Sequence, residues 1–427
     1  MLAPRARALG TIAIVAAGFL GLASAPAGAA AGKLDGSFSG DGRATAFPKG
    51  ATGFGVAIDG QGRILVAGYT LGADTDFALA RFRSSGRLDP DFGGGDGRVT
   101  TDLGGTDYAF DIALGSKGRI VVAGERDRPG GTTMAVAVYG PRGGLDRDFS
   151  KDGVAFIDFG KQFQGANAVA VSTNDKIVLG GSTSNGQTSR WALARLRPSG
   201  ARDRDFGGDG RVTLDLTPSD EQINDLTIVA GGKIVAVGSA ESGLSPRIAI
   251  ARFLIGGGKD RDFGNGGVKI TDVANGADTA YGVAEQDDGK LIVVGHVANG
   301  GKADWGVLRY GANGRLDDTF HGDGIRILGF GSDYEFAQAA AVQPNGRIVV
   351  VGRIRRSNDD QFGVVRLKPN GAYDLNFSKD GRVIVDFDRG SDTARDVALQ
   401  DNGKIVVAGE AFDRGDRRFA VARLLAS

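Results

Sequence analysis

Cysteine is absent, and histidine, tryptophan and methionine each occur only twice in 427 residues. That inventory excludes disulfides, thiol catalysis and a histidine-rich metal site. Net charge is lacking too, since 51 basic side chains balance 51 acidic ones, which argues against a strongly basic nucleic-acid binder. What is abundant is glycine, 72 residues, beside 23 phenylalanines. Such a chain is rich in turns and too long for one small core.

Residues 1–31 read as an export signal. Arg5 and Arg7 open it, an apolar stretch runs from Leu9 to about Ala23, and a small-residue segment follows from Ala25 to Ala31. The apolar stretch is about 15 residues, short for a bilayer span. Ala27 and Ala29 place cleavage after Ala29, with Ala31 as an alternative site and an uncleaved N-terminal anchor as the alternative reading. Cleavage removes two arginines and no acid, leaving 49 basic against 51 acidic side chains, a net charge of −2. The expected mature protein, residues 32–427, is secreted and has no membrane span.

An internal repeat organises the rest. A phenylalanine before a glycine-rich turn recurs at Phe38, Phe92, Phe149, Phe206, Phe263, Phe320 and Phe377, spaced 54 once and then 57 five times. The glycine closing an apolar run recurs at Gly68, Gly124, Gly181, Gly238, Gly295, Gly352 and Gly409, spaced 56 and then 57. Two markers keep one register, so there are seven copies. Within each copy, short apolar runs bounded by turn residues read as strands. In the last copy they are strand A at Asp396–Gln400, strand B at Lys404–Ala408 and strand C at Phe419–Leu424; strand D follows a long loop, as at Gly97–Leu103. Asn345-Gly346, Asn402-Gly403 and Asp288-Gly289 predict two-residue A–B hairpins with positive φ at both central positions. Strand B is apolar at consecutive positions, so both its faces must be covered. The fold class that meets these demands is all-β, a seven-bladed β-propeller with four strands per blade.

An arginine recurs in strand C, and an aspartate follows eight residues later. The expected structural ion pairs are Arg81 with Asp89, Arg195 with Asp203, Arg252 with Asp260, Arg309 with Asp317 and Arg366 with Asp374; the second copy has Val138 where the arginine belongs. Arg423 finds its aspartate only at the other end of the chain, where Leu34-Asp-Gly-Ser-Phe38 carries the same motif and leads into the orphan strand Gly42–Phe47. Asp35 is thus the expected partner, and the N-terminal strand completes the last blade and closes the ring. A charge that recurs once per blade reads as a shared lock on the C–D loop.

The unit, LD-x-x-F with a following DG, a small-residue strand A, a DNGKIVVAG hairpin and FAVARL, resembles the delta-60 repeat of secreted bacterial β-propellers, over about residues 34–424. The resemblance implies fold and export, and carries no general catalytic residues.

Asp146, Asp148 and Asp152, repeated as Asp203, Asp205 and Asp209, offer a possible calcium loop, set against turn capping by aspartate. No other cofactor is implied. The residues that differ between copies say more about ligands. After the marker glycine stand Tyr69, Glu125, Ser182, Ser239, His296, Arg353 and Glu410, unlike polar groups at one end of strand B. The B–C connections add Arg355, Arg356, Asp359, Asp360, Asp413 and Arg414 as candidate ligand contacts. Glu125, Glu410 and His296 are the candidates for catalysis, although no spacing makes them an acid–base pair. The aromatic column from Phe77 to Phe419, which includes Met134 and Ile248, reads as core. The expected function is a rigid binding or interaction module for a cell-surface polysaccharide or an exported protein, with no nucleic acid. The alternatives are a carbohydrate-active hydrolase or lyase and a calcium-stabilised scaffold.

Overall fold

The structure, a computed structural model, describes residues 31–426 apart from Pro48, Ala73, 243–244, 274–275, Asp333, 357–358, 388–389 and Arg414. The expected export signal lies outside the described residues but for Ala31.

Seven antiparallel sheets of four strands follow one another along the chain, the blades of a β-propeller. In blade 1, strands A to D are Ala51–Ile58, Ile64–Leu71, Thr75–Phe82 and Arg98–Thr101. A pairs with B, B with C and C with D. The other blades repeat this order, with strand A innermost. Strands B and C run further than their apolar segments: in blade 7 they are Ile405–Asp413 and Asp416–Leu424. Their polar ends stay paired, Ala411 with Arg418 and Phe412 with Arg417, because backbone ladders continue where burial stops. The B–C connections are therefore tips of long ribbons rather than open loops.

The A–B hairpins differ from the expected two-residue turns. Gly346 donates to the Gln343 carbonyl at 2.8 Å and takes φ +76°, whereas the Asn345 carboxamide accepts the Arg347 N–H at 3.1 Å. Gly403 and Gly289 repeat the pattern at φ +81° and +78°. Only the glycine is left-handed; Pro344 at the second turn position suits a type I turn followed by a bulge.

Seven apolar cores each fill one blade–blade interface, so no blade has a core of its own. Leu65, Phe77 and Leu79 of blade 1, for example, pack on Ile112, Val122 and Ala135 of blade 2. The aromatic column is buried throughout, from Phe77 and Met134 through Trp191 and Trp305 to Phe419. Closure comes from Arg43–Ala46, which pairs in register with Phe419–Ala422 as the fourth strand of blade 7. Around it Asp35 N–H donates to the Arg423 carbonyl at 2.8 Å and Arg423 N–H to the Gly42 carbonyl at 2.9 Å.

At the C–D corners, the Arg Nε to Asp Oδ2 distance is 2.9 Å for Arg81 and Asp89, 2.7 Å for Arg195 and Asp203, and 2.7 Å for Arg252 and Asp260. It is 2.8 Å for Arg309 and Asp317, 2.9 Å for Arg366 and Asp374, and 2.8 Å for Arg423 and Asp35. Each guanidinium also lies over the marker phenylalanine of its own corner, Arg81 over Phe92 at 4.4 Å and Arg423 over Phe38 at 4.7 Å, and donates to a carbonyl of the next blade. Every corner aspartate meets a second cation from the start of strand B, such as Lys176 Nζ at 2.8 Å from Asp203 and Lys404 Nζ at 2.7 Å from Asp35. Blade 2 lacks the strand-C arginine but keeps this second cation: Arg119 Nε lies 2.9 Å from Asp146, with the ring of Phe149 at 6.0 Å.

Candidate functional site

Each strand A carries a β-bulge in its first half. The ladder with strand B skips from Gly53 to Val56, from Ala109 to Asp111, from Ala166 to Ala168 and from Ile223 to Asp225 in blades 1 to 4. It skips from Ala280 to Gly282, from Ala337 to Ala339 and from Ala394 to Asp396 in blades 5 to 7. The extra residue of a bulge leaves the alternation of the strand and re-aims its side chain. Here Phe54, Phe110, Asn167, Asn224, Tyr281, Gln338 and Arg395, one from every blade, line a cavity of about 310 Å³ on the propeller axis.

The bulge also explains the marker glycines. It pushes a strand-A carbonyl against strand B, and a Cβ on Gly68 would stand 2.0 Å from the Thr52 carbonyl oxygen, one on Gly124 1.8 Å from that of Tyr108. Only glycine can sit opposite.

The residue after the bulge is aspartate in blades 2, 4 and 7. Asp111 Oδ2 accepts the N–H of Val169 in blade 3 at 2.7 Å, Asp225 that of Val283 in blade 5 at 2.8 Å, and Asp396 that of Val56 in blade 1 at 2.7 Å. The other oxygen of each accepts the N–H of its own successor. Small residues, such as Gly55, Ala168 and Gly282, hold the position in the receiving blades. These carboxyls deep in the ring titrate high: burial, with the Asp396 charge, pushes Asp225 up to about 7, and burial pushes Asp396 up to about 6. Burial and its two carboxylate neighbours hold Asp111 well above the usual range.

Of the residues after the marker glycines, Tyr69, His296 and Glu410 reach the lining of this cavity. Tyr69 lies 5.6 Å from Phe54 and 4.9 Å from Tyr108, and Phe54 lies 5.4 Å from Phe110, ring centre to ring centre, giving an aromatic arc across blades 1 and 2. Across the mouth, His296 packs on Tyr281 at 5.6 Å and Phe336 at 4.9 Å, and the Arg353 guanidinium covers Phe336 at 4.5 Å. Glu410 is buried and bonds Arg395 Nη2 at 2.8 Å, and Arg395 lies over Phe54 at 4.9 Å. Burial, with the nearby Asp127, pushes Glu125 up to about 7, while burial depresses His296 to about 4, so that it is a neutral ring at pH 7. Glu125, His296 and Glu410 come from blades 2, 5 and 7, and the contacts each makes are to other residues. Tyr69, His296 and Glu410 touch side chains of the cavity lining.

The remaining candidates are engaged otherwise. Asp360 is buried between Arg355 at 2.9 Å and Arg353 at 3.3 Å, and Arg356 pairs with Asp359 at the exposed ribbon tip. Asp413 is backbone-paired with Asp416, and Arg414 lies outside the described residues. In the possible calcium loops, Asp203 accepts Lys176 and Arg195, Asp209 accepts Arg211 at 2.5 Å, and Asp146 and Asp152 cap the N–H groups of Asp148 and Val154. Asp205 N–H is capped by Asp203. Burial alone would raise Asp203, yet the two cations hold it down at about 2. The bulge ring is what the sequence reading missed: no single residue type fills its positions, and the marker glycine opposite was the available signal.

Among the described residues no helix is long and apolar enough to cross a membrane. Five segments, residues 62–92, 173–206, 286–320, 343–377 and 400–427, match the family model of a domain of unknown function, the DUF5122 beta-propeller. Each of the first four ends at or beside a corner phenylalanine. No curated protein matches the chain. Among solved structures, a streptogramin B lyase is 11% identical, with 89% of this chain and 96% of that chain covered at a TM-score of 0.52. A catalytically inactive virginiamycin B lyase from Staphylococcus aureus with quinupristin is 10% identical over 89% and 98%, with a TM-score of 0.51. A protein of unknown function from Dyadobacter fermentans is 10% identical over 90% and 98%, with a TM-score of 0.50. At such identities the likeness is one of fold. Sheet order and matched segments make this chain a repeat protein of the β-propeller kind.

Proposed function

We propose that this protein is an exported binding module of the delta-60 repeat type that recognises a cell-surface polysaccharide at the axial mouth. The observation that carries the reading is the bulge ring: seven equivalent positions hold two phenylalanines, a tyrosine, three amides and an arginine, around a cavity of about 310 Å³. Positions that serve only the scaffold repeat from blade to blade, as the corner residues do, whereas these diverge. Aromatic faces from blades 1, 2 and 5 and carboxamides from blades 3, 4 and 6 suit a sugar ring, which offers an apolar face and hydroxyl edges. An exported protein as partner is the competing ligand class.

Titration calorimetry against a panel of neutral and acidic oligosaccharides tests this. Binding to one class, lost in Arg395→Ala and Tyr69→Ala, is the expected result; no binding across the panel, with capture of an exported protein instead, overturns the polysaccharide reading.

A second reading, a polysaccharide lyase, draws on Glu125. A carboxyl pushed up to about 7, opposite Tyr108 of the aromatic arc in strand register, is poised for proton transfer near neutral pH, and two of the solved structures of similar fold are lyases. Turnover abolished by Glu125→Gln supports it; saturable binding with no product favours the module.

A further inference from the structure

A second site lies between blades 1 and 2, outside the axial cavity. Strand C of blade 1 pairs Phe77 with Thr101 of strand D, which sets Asp76 opposite Asp102. The same register in the other blades sets Arg190 opposite Asp215, Arg247 opposite Asp272, Gln361 opposite Asp386 and Thr133 opposite Asp158. Arg190 and Asp215 approach to 2.8 Å, as do Arg247 and Asp272, and Gln361 bonds Asp386 at 2.9 Å. In blade 5 the strand-C residue is Asp304, but glycine, Gly329, faces it. Acid faces acid only in blade 1, where like charges on opposed strands repel.

A third carboxylate completes the group. Asp107 begins strand A of blade 2, and one carboxylate oxygen from each of Asp76, Asp102 and Asp107 lies within 4.8 Å of the others. Asp107 is fully buried. Its Oδ2 accepts the Leu103 N–H at 2.7 Å, but its Oδ1 is buried with no hydrogen-bond partner. Blade 5 shows what normally fills that role: Asp278, at the equivalent position, accepts the Val273 N–H with one oxygen and the Ala298 N–H with the other. In blade 2 the corresponding N–H, that of Asp127, donates to the Thr106 carbonyl instead. A buried carboxylate oxygen without a donor is costly, and two further acids beside it increase the cost.

We propose that Asp76, Asp102 and Asp107 bind a hard divalent cation, calcium, in place of the cation–acid pairs of blades 3 and 4. Three carboxylates supply between three and six of the oxygens that calcium takes, and Asp102, exposed to solvent, leaves room for water to supply the rest. The site is distinct from the C–D corners, whose aspartates are paired with lysine and arginine. It adjoins the axial mouth, since Tyr108 follows Asp107 and belongs to the aromatic arc.

The test is a melting and calorimetric titration of the whole protein with calcium after chelator treatment, in the parent, Asp76→Asn and Asp76→Arg. The parent is expected to bind one calcium and to melt roughly 2 °C or more higher when loaded. Asp76→Arg recreates the pair of blades 3 and 4, so it should melt without metal at least as high as the metal-free parent, and neither variant should shift with calcium. A parent that binds no calcium overturns the proposal, as does calcium binding that persists unchanged in both variants. Should Asp76→Arg fail to fold, the near-isosteric Asp76→Asn decides alone.

Discussion

The C–D corner and the axial mouth are built from the same seven-fold repetition and use it in opposite ways. At the corner nearly every copy carries the same arginine, aspartate and phenylalanine, and each guanidinium is consumed by its own aspartate, its own ring and the next blade's backbone. At the mouth the bulge puts one side chain per blade around a cavity, and the seven are of five residue types. Repetition in a ring marks what every interface needs; divergence marks a surface released from that need. The blade-2 corner marks the edge of that repetition: Val138 stands where the strand-C arginine belongs, and Asp146 keeps the strand-B cation, Arg119. One cation on the aspartate is kept there and the other is lost.

The comparison can be broken at several strengths. Removing residues 32–47 takes away the fourth strand of blade 7 and the Arg423–Asp35 pair, and should cost roughly 10 °C of melting temperature or the single cooperative transition itself. A truncated protein that melts like the parent would refute closure by this strand. Next, Asp203→Asn strips a fully buried acid from two cations and should cost about 3 kcal/mol in denaturant unfolding, whereas Asp146→Asn strips a partly exposed acid from one and should cost about 1 kcal/mol. Equal losses would mean that the strand-C arginine contributes nothing.

The two regions should also respond oppositely to pH. Asp203 titrates below its unfolded value, so its contribution is present above about pH 4 and is lost as pH falls toward about 2. Asp225 and Asp396 titrate above theirs, so their contribution is full below about pH 4 and is lost as pH rises through about 6 to 7. Stability of the Asp225→Asn, Asp396→Asn double variant should therefore be flatter between pH 4 and 7 than that of the parent; an unchanged slope would remove these groups from the account. The smallest effect on stability belongs to the mouth. Gln338→Ala should change unfolding by less than about 0.5 kcal/mol while weakening ligand binding, and a large stability loss would place this glutamine with the scaffold.

Much of this was legible in the sequence because it recurs. The blades, the ring closure through Asp35 and the arginine–aspartate spacing all followed from counting positions. The features that escaped are those that period alone does not carry. The bulge leaves no fixed side chain of its own, only a glycine opposite; Arg119 acts from strand B rather than strand C; and the Pro344-Asn345-Gly346 turn uses a side-chain acceptor where a dipeptide signal suggested two left-handed residues. The acid trio escaped for a related reason, since Asp76 is informative only when set beside Arg190 and Arg247 in strand register.

The pairing of Arg43–Ala46 with blade 7 has a consequence for how the molecule is made. The residues it joins, Asp35 and Arg423, are 388 positions apart. A chain synthesised from its N-terminus must hold the first strand in waiting while six blades and most of a seventh assemble beside it. The entropy of so long a closure grows only logarithmically, but every intermediate until then is an open arc with two raw edges. The waiting strand is four residues long and begins with a charge, Arg43, so it makes a poor template for a stray partner during that delay.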